Sequence, residues 1–277
     1  METSGISRLL TIFLYLLFFK CVFMSVLDTS GHHEPGLINT AVKYIQYHEL
    51  YCVKSYDVAL RYILAAIICV AVFMIVGFAL SPKLGYQNPA VIKLDEAITS
   101  LFYNVHTGNI DDFMILLSMY GREIVWSGVI VFLGIFAGWK GKKIALIIVI
   151  SFLIIMPLNT LLKNFFERLR PVIEVREINV PLKTDFAYPS GHASIVSSGA
   201  LILMIFYRKE KDLIFSSLLT IEAALVCFSR IYVGDHYFFD VIGGTLLGSG
   251  VSLMSISFSK FLDPAVNGVR KYLEKSP

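Results

Sequence analysis

Charged side chains are scarce in this chain. Only 16% of its 277 residues are Asp, Glu, Lys or Arg, whereas 56% are hydrophobic. A soluble globular domain carries about 25% charged residues, so this composition excludes an ordinary soluble protein. Strand-like alternation of polar and apolar residues is also missing, which argues against a membrane β-barrel.

Dense basic tracts and paired cysteines are missing as well. The formal net charge is only +3, too mild to indicate a nucleic-acid partner. The four cysteines include no Cys-x-x-Cys pair, and three of them lie in apolar runs, so neither a zinc site nor a disulfide framework is indicated. They are Cys21, Cys52, Cys69 and Cys227.

Long apolar runs are what the sequence has in abundance. A bilayer core of about 30 Å needs about 20 apolar residues per helix, and backbone in lipid must form its hydrogen bonds within the helix. We therefore predict an all-α, polytopic membrane bundle with six core transmembrane helices. Their apolar runs are residues 61–80, 124–139, 144–162, 192–207, 213–228 and 241–262.

A further apolar run, residues 9–27, gives a seventh span if it is retained. Arg8 precedes it as in a signal peptide, but Lys20 and the bulky residues after it fit a cleavage site poorly, which favours an uncleaved anchor. We expect three parts in the chain: an N-terminal anchor and interfacial segment at residues 1–58, a membrane domain at 59–265, and a cytoplasmic tail at 266–277.

Basic residues predict the orientation of the bundle. They cluster in residues 140–143, in residues 208–211 and in the C-terminal tail. If each run crosses once, all three clusters lie on one side, which the positive-inside rule makes cytoplasmic. The polar segments 83–122, 163–191 and 229–240 then lie together on the extracytoplasmic face.

The second of these polar segments holds two groups suited to an anion. Lys163 and Arg170 are separated by six residues, about two helical turns, so they lie on one face, and a bend at Pro171 lets both reach one anion. Farther on, Ser190 is a good N-cap, Gly191 permits close backbone approach, and a helix N-terminus binds anions. A capped helix start explains Ser190, but not His192 immediately inside it.

The third polar segment, residues 229–240, carries Arg230, His236 and Asp240. If its second half is helical, His236 and Asp240 share a face. A carboxylate that bonds one ring nitrogen of a histidine leaves the other free as a base or nucleophile. Alone, the stretch is more typical of an idle polar loop, and Asp235 points elsewhere on such a helix, so we leave it out of the site.

Together the segments supply what phosphoryl transfer requires. Three cations and the amides at a helix start balance the charge of the transferred group, and two histidines supply a nucleophile and an acid. No carboxylate cluster of the two-metal type accompanies them, so we expect a reaction without a metal or other cofactor. Spacing favours His236 as the nucleophile, because only it has a carboxylate four residues away.

These residues resemble the signature of the type 2 phosphatidic acid phosphatase family, within the acid phosphatase–vanadium haloperoxidase superfamily. The resemblance spans about residues 60–262, and every signature position is matched. Its motifs are Lys, six residues, Arg-Pro; then Pro-Ser-Gly-His; then Ser-Arg, five residues, His, three residues, Asp. They match Lys163, Arg170 and Pro171; residues 189–192; and Ser229, Arg230, His236 and Asp240.

The resemblance implies a role for each residue. His236 would attack phosphorus and form a phosphohistidine, oriented by Asp240, while His192 would protonate the leaving oxygen and later activate water. The residues that would hold the phosphate are Lys163, Arg170, Ser190, Gly191 and Arg230. The partner implied is a phosphorylated lipid of the bilayer, met at the outer face.

Several alternatives remain at this point. An isoprenoid diphosphate, such as undecaprenyl or dolichyl diphosphate, is the favoured substrate because the compact, short-looped chain resembles microbial lipid-carrier recycling enzymes; phosphatidate and phosphatidylglycerophosphate are the alternatives. A non-enzymatic anion or phosphate transporter is disfavoured because no internal repeat is visible. A vanadate-dependent haloperoxidase would use the same side chains as ligands, but those proteins are soluble, so the apolar composition argues against this alternative.

Two further features lie inside predicted spans. An intramembrane carboxylate such as Glu222 indicates a functional role by default, and the alternatives are a structural hydrogen bond or a protonated acid in the bundle. Gly244 and Gly248 are four residues apart and predict close packing of the last span against a neighbouring helix.

Overall fold

Helices make up the regular structure of the chain in a computed structural model, which describes residues 35–84, 86–103, 108–171 and 185–275. No strand occurs in these ranges. In chain order the elements are α1 (Pro35–Leu80), α2 (Pro89–Tyr103), α3 (Gly108–Leu116), a π-helix (Leu117–Val125), α4 (Trp126–Phe136), α5 (Gly138–Phe166), α6 (Gly191–Phe206), α7 (Glu210–Tyr232), α8 (Phe238–Ser257), a 3₁₀ helix (Ser259–Leu262) and α9 (Asp263–Lys275).

Within the described ranges, five stretches are long and apolar enough to cross a membrane. They are Val58–Leu80, Ile110–Phe136, Gly138–Phe166, Asp212–Tyr232 and Phe238–Ser257. The predicted all-α membrane bundle is therefore confirmed, but its count of six core spans is not. The remaining predicted span is α6, which is apolar but has only 16 residues, short of the roughly 20 that a bilayer core needs.

The chain divides into two compact units at Ser55 and Tyr56. In the first unit the structure describes residues 35–55, which are helical. The anchor predicted at residues 9–27 lies outside the described residues. The predicted division at residues 58 and 265 stays a prediction.

The second span begins earlier than the sequence indicates. We predicted a polar segment at residues 83–122 and a span from residue 124, but α3 leads through the π-helix into α4, so the candidate span starts at Ile110. Polar residues near its start disguise it in the sequence. One of them, Asp111, is paired in the structure with the hydroxyl of Tyr232 on α7.

Helix α6 is the central element of the second unit and packs against α5, α7 and α8. Its contact with α8 depends on glycine. A Cβ at Gly244 would lie 2.4 Å from the carbonyl oxygen of Ser190, and one at Gly248 would lie 2.1 Å from that of Ser194. The predicted close packing at these two glycines is confirmed.

The indole of Trp126 fills the space beside Gly199 of α6, where a Cβ would lie 2.0 Å from the ring. Its Nε1 donates a hydrogen bond of 3.1 Å to Oε2 of Glu222 on α7. Of the possibilities left open for Glu222, the structure shows the structural hydrogen bond.

Candidate active site

The predicted motifs converge where α5 and α7 end and α6 and α8 begin. Arg170, just after α5, donates from Nη1 to the carbonyl oxygen of Asp235 at 2.6 Å. The amide of Ser190, at the start of α6, donates to the carbonyl oxygen of Asp240 on α8 at 3.0 Å. These two contacts join all three sequence segments at one end of the bundle.

His236 is buried, with 2% of its side chain exposed. Its Nε2 lies 3.3 Å from Nη1 of Arg170. A guanidinium can only donate, so Nε2 accepts, and the proton of the neutral ring is assigned to Nδ1. Nδ1 has no hydrogen-bond partner among the described residues, and its nearest carboxylate oxygen, Oδ2 of Asp240, is 3.6 Å away.

The neighbourhood of His236 keeps its ring neutral. Burial, followed by the positive charges of Arg170, Arg230 and Lys163, holds its pKa well below the ordinary value of 6.5. A neutral imidazole whose Nε2 carries no proton is the nucleophilic form.

Asp240 is fully buried in the first turn of α8. Helix α8 begins at Phe238, so His236 precedes it, and the two residues do not share a helix face as predicted. The turn before α8 brings them together instead. Oδ2 of Asp240 accepts a hydrogen bond of 2.9 Å from the amide of Tyr237, and Oδ1 accepts one of 2.6 Å from Arg168.

Lys163 and Arg170 are brought together by a carboxylate that the sequence analysis missed, that of Asp185. Its Oδ2 is paired with Nζ of Lys163, and its Oδ1 accepts a hydrogen bond of 2.7 Å from Nη2 of Arg170. Partial burial opposes ionisation, but these two cations lower the pKa of Asp185 to about 2. Asp185 lies between two motifs, and no sequence signal marks it.

Arg230 is also held in place. Its Nη1 donates a hydrogen bond of 2.9 Å to the carbonyl oxygen of Ser118 on the π-helix, and its Nη2 is paired with the carboxylate of Asp235. Asp235 therefore lies inside the cluster, whereas we had left it out. The buried Nε of Arg230 has no hydrogen-bond partner in the described parts of the chain, which leaves one donor for a ligand.

Ser190 and Gly191 form the start of α6, as predicted, but Ser190 does not cap the helix through its side chain. Its buried hydroxyl lacks a hydrogen-bond partner among the residues that the structure covers. Gly191 lies against Asn159, where a Cβ would come within 3.3 Å of Oδ1. A free hydroxyl beside a helix N-terminus is suited to an anionic oxygen.

His192 lies just inside α6 and faces the π-helix. Its Nε2 is 4.0 Å from Oε1 of Glu123, the same oxygen that pairs with Arg122. No sequence motif connects Glu123 with His192. Across the described ranges, no group of three or more His, Cys, Asp or Glu side chains is arranged to hold a metal ion.

The chain is similar in sequence to known proteins. The model of the PAP2 superfamily matches residues 143–263. An undecaprenyl-diphosphatase of Sulfolobus acidocaldarius is 38% identical over 191 residues, which are 68% of this chain and 88% of the relative. A phosphatidylglycerophosphatase B of Bacillus subtilis is 30% identical over 176 residues, 57% of this chain and 80% of the relative.

The fold has a counterpart among solved structures. The crystal structure of a transmembrane PAP2-type phosphatidylglycerolphosphate phosphatase from Bacillus subtilis superposes with a TM-score of 0.58 at 24% identity, and covers 71% of this chain and 96% of that one. Since the sequence match to the Sulfolobus protein extends over most of that relative, the resemblance stated from the motifs is confirmed. The chain belongs to the PAP2 superfamily and is an integral membrane phosphatase.

Proposed function

We propose that this phosphatase removes a phosphate from a phosphorylated membrane lipid through a phosphohistidine on His236, and that its substrate is an isoprenoid diphosphate. The observation that carries the proposal is the buried, neutral imidazole of His236, whose Nε2 lies 3.3 Å from Nη1 of Arg170. A nucleophile beside a guanidinium is suited to attack a phosphorus whose oxygens that guanidinium binds.

In the first step, Nε2 of His236 attacks phosphorus and a P–N bond forms as the bond to the leaving oxygen breaks. The leaving oxygen keeps the electron pair and takes a proton from His192. The ring of His236 then carries positive charge, with its Nδ1 proton facing Asp240 Oδ2 across 3.6 Å. In the second step water attacks phosphorus, His192 takes a proton from it, the P–N bond breaks and inorganic phosphate leaves.

Three cations would bind the oxygens of the transferred group. They are Lys163, Arg170 and the free Nε of Arg230, supported by the Ser190 hydroxyl and the amides at Gly191. Because the carboxylate of Asp185 is already paired with Lys163 and Arg170, an arriving phosphate must displace that carboxylate from both cations. The greater charge of phosphate favours this exchange.

The choice of an isoprenoid diphosphate is supported by the relative that is 38% identical, which is named an undecaprenyl-diphosphatase. A second candidate is phosphatidylglycerophosphate, supported by the name of the relative that is 30% identical. Both are lipids whose phosphate lies at the membrane surface. We infer further that the site lies on the extracytoplasmic face, because the short basic segments are at residues 140–143 and 208–211.

The test is phosphate release by the purified protein in detergent, with EDTA and without added metal. Prenyl diphosphates, phosphatidate and phosphatidylglycerophosphate form the panel. We expect release to be fastest from a prenyl diphosphate and to be inhibited by vanadate. His236→Ala should lower kcat at least ~1000-fold, as loss of a nucleophile does.

The control variant is Arg270→Gln, which removes an exposed ion pair with Glu274 on α9 and should retain full activity. Release from none of the lipids would favour an anion transporter. Wild-type turnover by His236→Ala would exclude the phosphohistidine. If phosphate were released fastest from phosphatidylglycerophosphate, that lipid would be the substrate instead of the isoprenoid diphosphate.

A further inference from the structure

We propose that Arg168 and Asp95 are positioning residues of the active site, which hold the carboxylate of Asp240 against His236. This inference rests on the proposed function, since it concerns how the nucleophile is oriented. Asp95 lies in α2, outside the segment that the family model matches. Arg168 lies within the first motif but is not one of its signature positions.

Arg168 is buried and contacts three groups at once. Its Nη1 donates a hydrogen bond of 2.6 Å to Oδ1 of Asp240, and its Nη2 donates one of 2.6 Å to Oδ2 of Asp95. Its guanidinium carbon lies 4.2 Å from the centre of the Tyr237 ring. The planar fork of an arginine suits such a bridge, because its geometry fixes both partners.

Asp95 connects this bridge to the backbone of α8. Its second oxygen, Oδ1, accepts a hydrogen bond of 2.8 Å from the amide of Phe239. One turn along α2, Oγ1 of Thr99 accepts a hydrogen bond of 3.0 Å from the amide of Phe238. The first amides of a helix lack partners within it, so α2 caps α8 from outside and fixes the turn that carries Asp240.

Both oxygens of Asp240 are thereby engaged. Oδ1 is held by Arg168, and Oδ2, bonded to the amide of Tyr237, is the oxygen that faces Nδ1 of His236. If Arg168 were lost, a fully buried carboxylate would lack its only charged hydrogen-bond donor recorded in the described structure. It would then turn away or take up a proton, and in either case Nδ1 would lose the oriented acceptor.

Stability alone does not account for this arrangement. A buried ion cluster contributes little net stability compared with a well-packed apolar replacement. Asp95 and Asp240 both pair with the one guanidinium of Arg168, and this chain of contacts ends at Asp240, whose Oδ2 faces His236. Burial raises the pKa of Asp95 and Arg168 opposes that shift, so the bridge helps to keep the Asp95 carboxylate charged.

The test is a double-mutant cycle on kcat and KM, with the lipid that the wild-type protein hydrolyses fastest. Arg168→Lys keeps the charge but loses the fork, and Asp95→Asn keeps an acceptor for Phe239. We expect kcat to fall roughly 10–100-fold for Arg168→Lys, as when an outer partner of an active-site group is removed, while KM stays within about threefold. Arg168→Lys with Asp240→Asn should be no slower than Asp240→Asn alone, because Arg168 acts through Asp240.

The matched control is Lys83→Gln, which breaks an exposed ion pair with Glu167, the neighbour of Arg168, without touching Asp240. It should keep wild-type kcat. Unchanged kcat in Arg168→Lys, or losses that multiply in the double variant, would overturn the assignment. If Arg168→Lys does not fold, as judged by gel filtration, the cycle of Asp95→Asn with Asp240→Asn tests the assignment in its place. A wild-type protein that releases no phosphate contradicts the proposed function instead.

Discussion

At the residue scale, Asp185 holds two cations that the proposed reaction needs for phosphate. Its carboxylate pairs with Lys163 and Arg170, although 53% of its side chain is exposed. Since its pKa is about 2, Asp185 stays ionised at any pH at which the protein is assayed. Substrate therefore has to compete with a permanent internal anion.

We predict that Asp185→Asn strengthens inhibition by inorganic phosphate and lowers KM. An ion pair exposed to this degree contributes up to about 1 kcal/mol, so the phosphate inhibition constant should fall roughly fivefold. The gain should be the same at pH 5 and pH 8, because the carboxylate is charged at both. Inhibition of phosphate release by added phosphate measures it.

Asp212→Asn is the matched control, because Asp212 has a similar exposure of 52% and pairs with Lys140 at 3.9 Å. It should leave the phosphate inhibition constant unchanged. An Asp185→Asn variant with weaker phosphate inhibition would mean that Asp185 helps to build the site.

The residues that the sequence predicted and those that it missed differ in one physical respect. Lys163, Arg170 and His236 have fixed spacings along the chain, so their pattern is visible without a structure. The roles of Asp185 and Arg168 depend on side chains elsewhere in the chain with which they pair. Arg168 contacts Asp95 and Asp240, each more than 70 residues away, and no local pattern encodes such a pairing.

At the element scale, the first turn of α6 is positioned by its packing on α8. A side chain at Gly244 would meet the backbone of Ser190, which is part of the proposed phosphate-binding segment. Small residues allow the backbones of two membrane helices to approach. The pattern of Gly244 and Gly248 was readable in the sequence, but the helix that it contacts was not.

We predict that Gly244→Ala destabilises the protein and reduces its activity, because α6 and α8 must separate to admit the Cβ. Overpacking of this kind costs about 1–3 kcal/mol, which thermal unfolding in detergent would detect as a lower midpoint. Gly128→Ala makes the same chemical change in α4, where a Cβ meets nothing within 4 Å. That variant should be neutral or slightly more stable; equal losses in both would contradict this explanation.

The π-helix is the element that was hardest to predict from the sequence. We predicted a polar segment up to residue 122 and a span from residue 124, because Arg122 and Glu123 interrupt the apolar pattern, and this boundary falls inside the π-helix Leu117–Val125. A π-helix also departs from the 3.6-residue period on which helix prediction depends. Yet Ser118 of this element accepts from Arg230, so a stretch without any motif helps to position a phosphate-binding candidate.

At the scale of the whole molecule, the basic segments converge at one end. Lys140, early in α5, lies over the ring of Tyr207, with its Nζ 4.4 Å from the ring centre. Nearby Lys143 is paired with Asp263 at the start of α9. Lys163, near the far end of the same 29-residue helix α5, belongs to the proposed phosphate site. The basic cluster and the site are therefore separated by most of a bilayer-spanning helix.

This separation predicts which groups face the outside of a cell. In a variant whose four cysteines are replaced by serine, Glu167→Cys reports on the end of α5 near the proposed site, and Lys209→Cys reports on the basic end. The side chain of Glu167 is 38% exposed, and Lys209 is exposed. A membrane-impermeant maleimide should label Glu167→Cys in intact cells and Lys209→Cys only after the membrane is permeabilised, because short basic segments are retained in the cytoplasm. The reverse pattern would put the phosphate site on the cytoplasmic face, and the enzyme would then meet its lipid substrate in the inner leaflet.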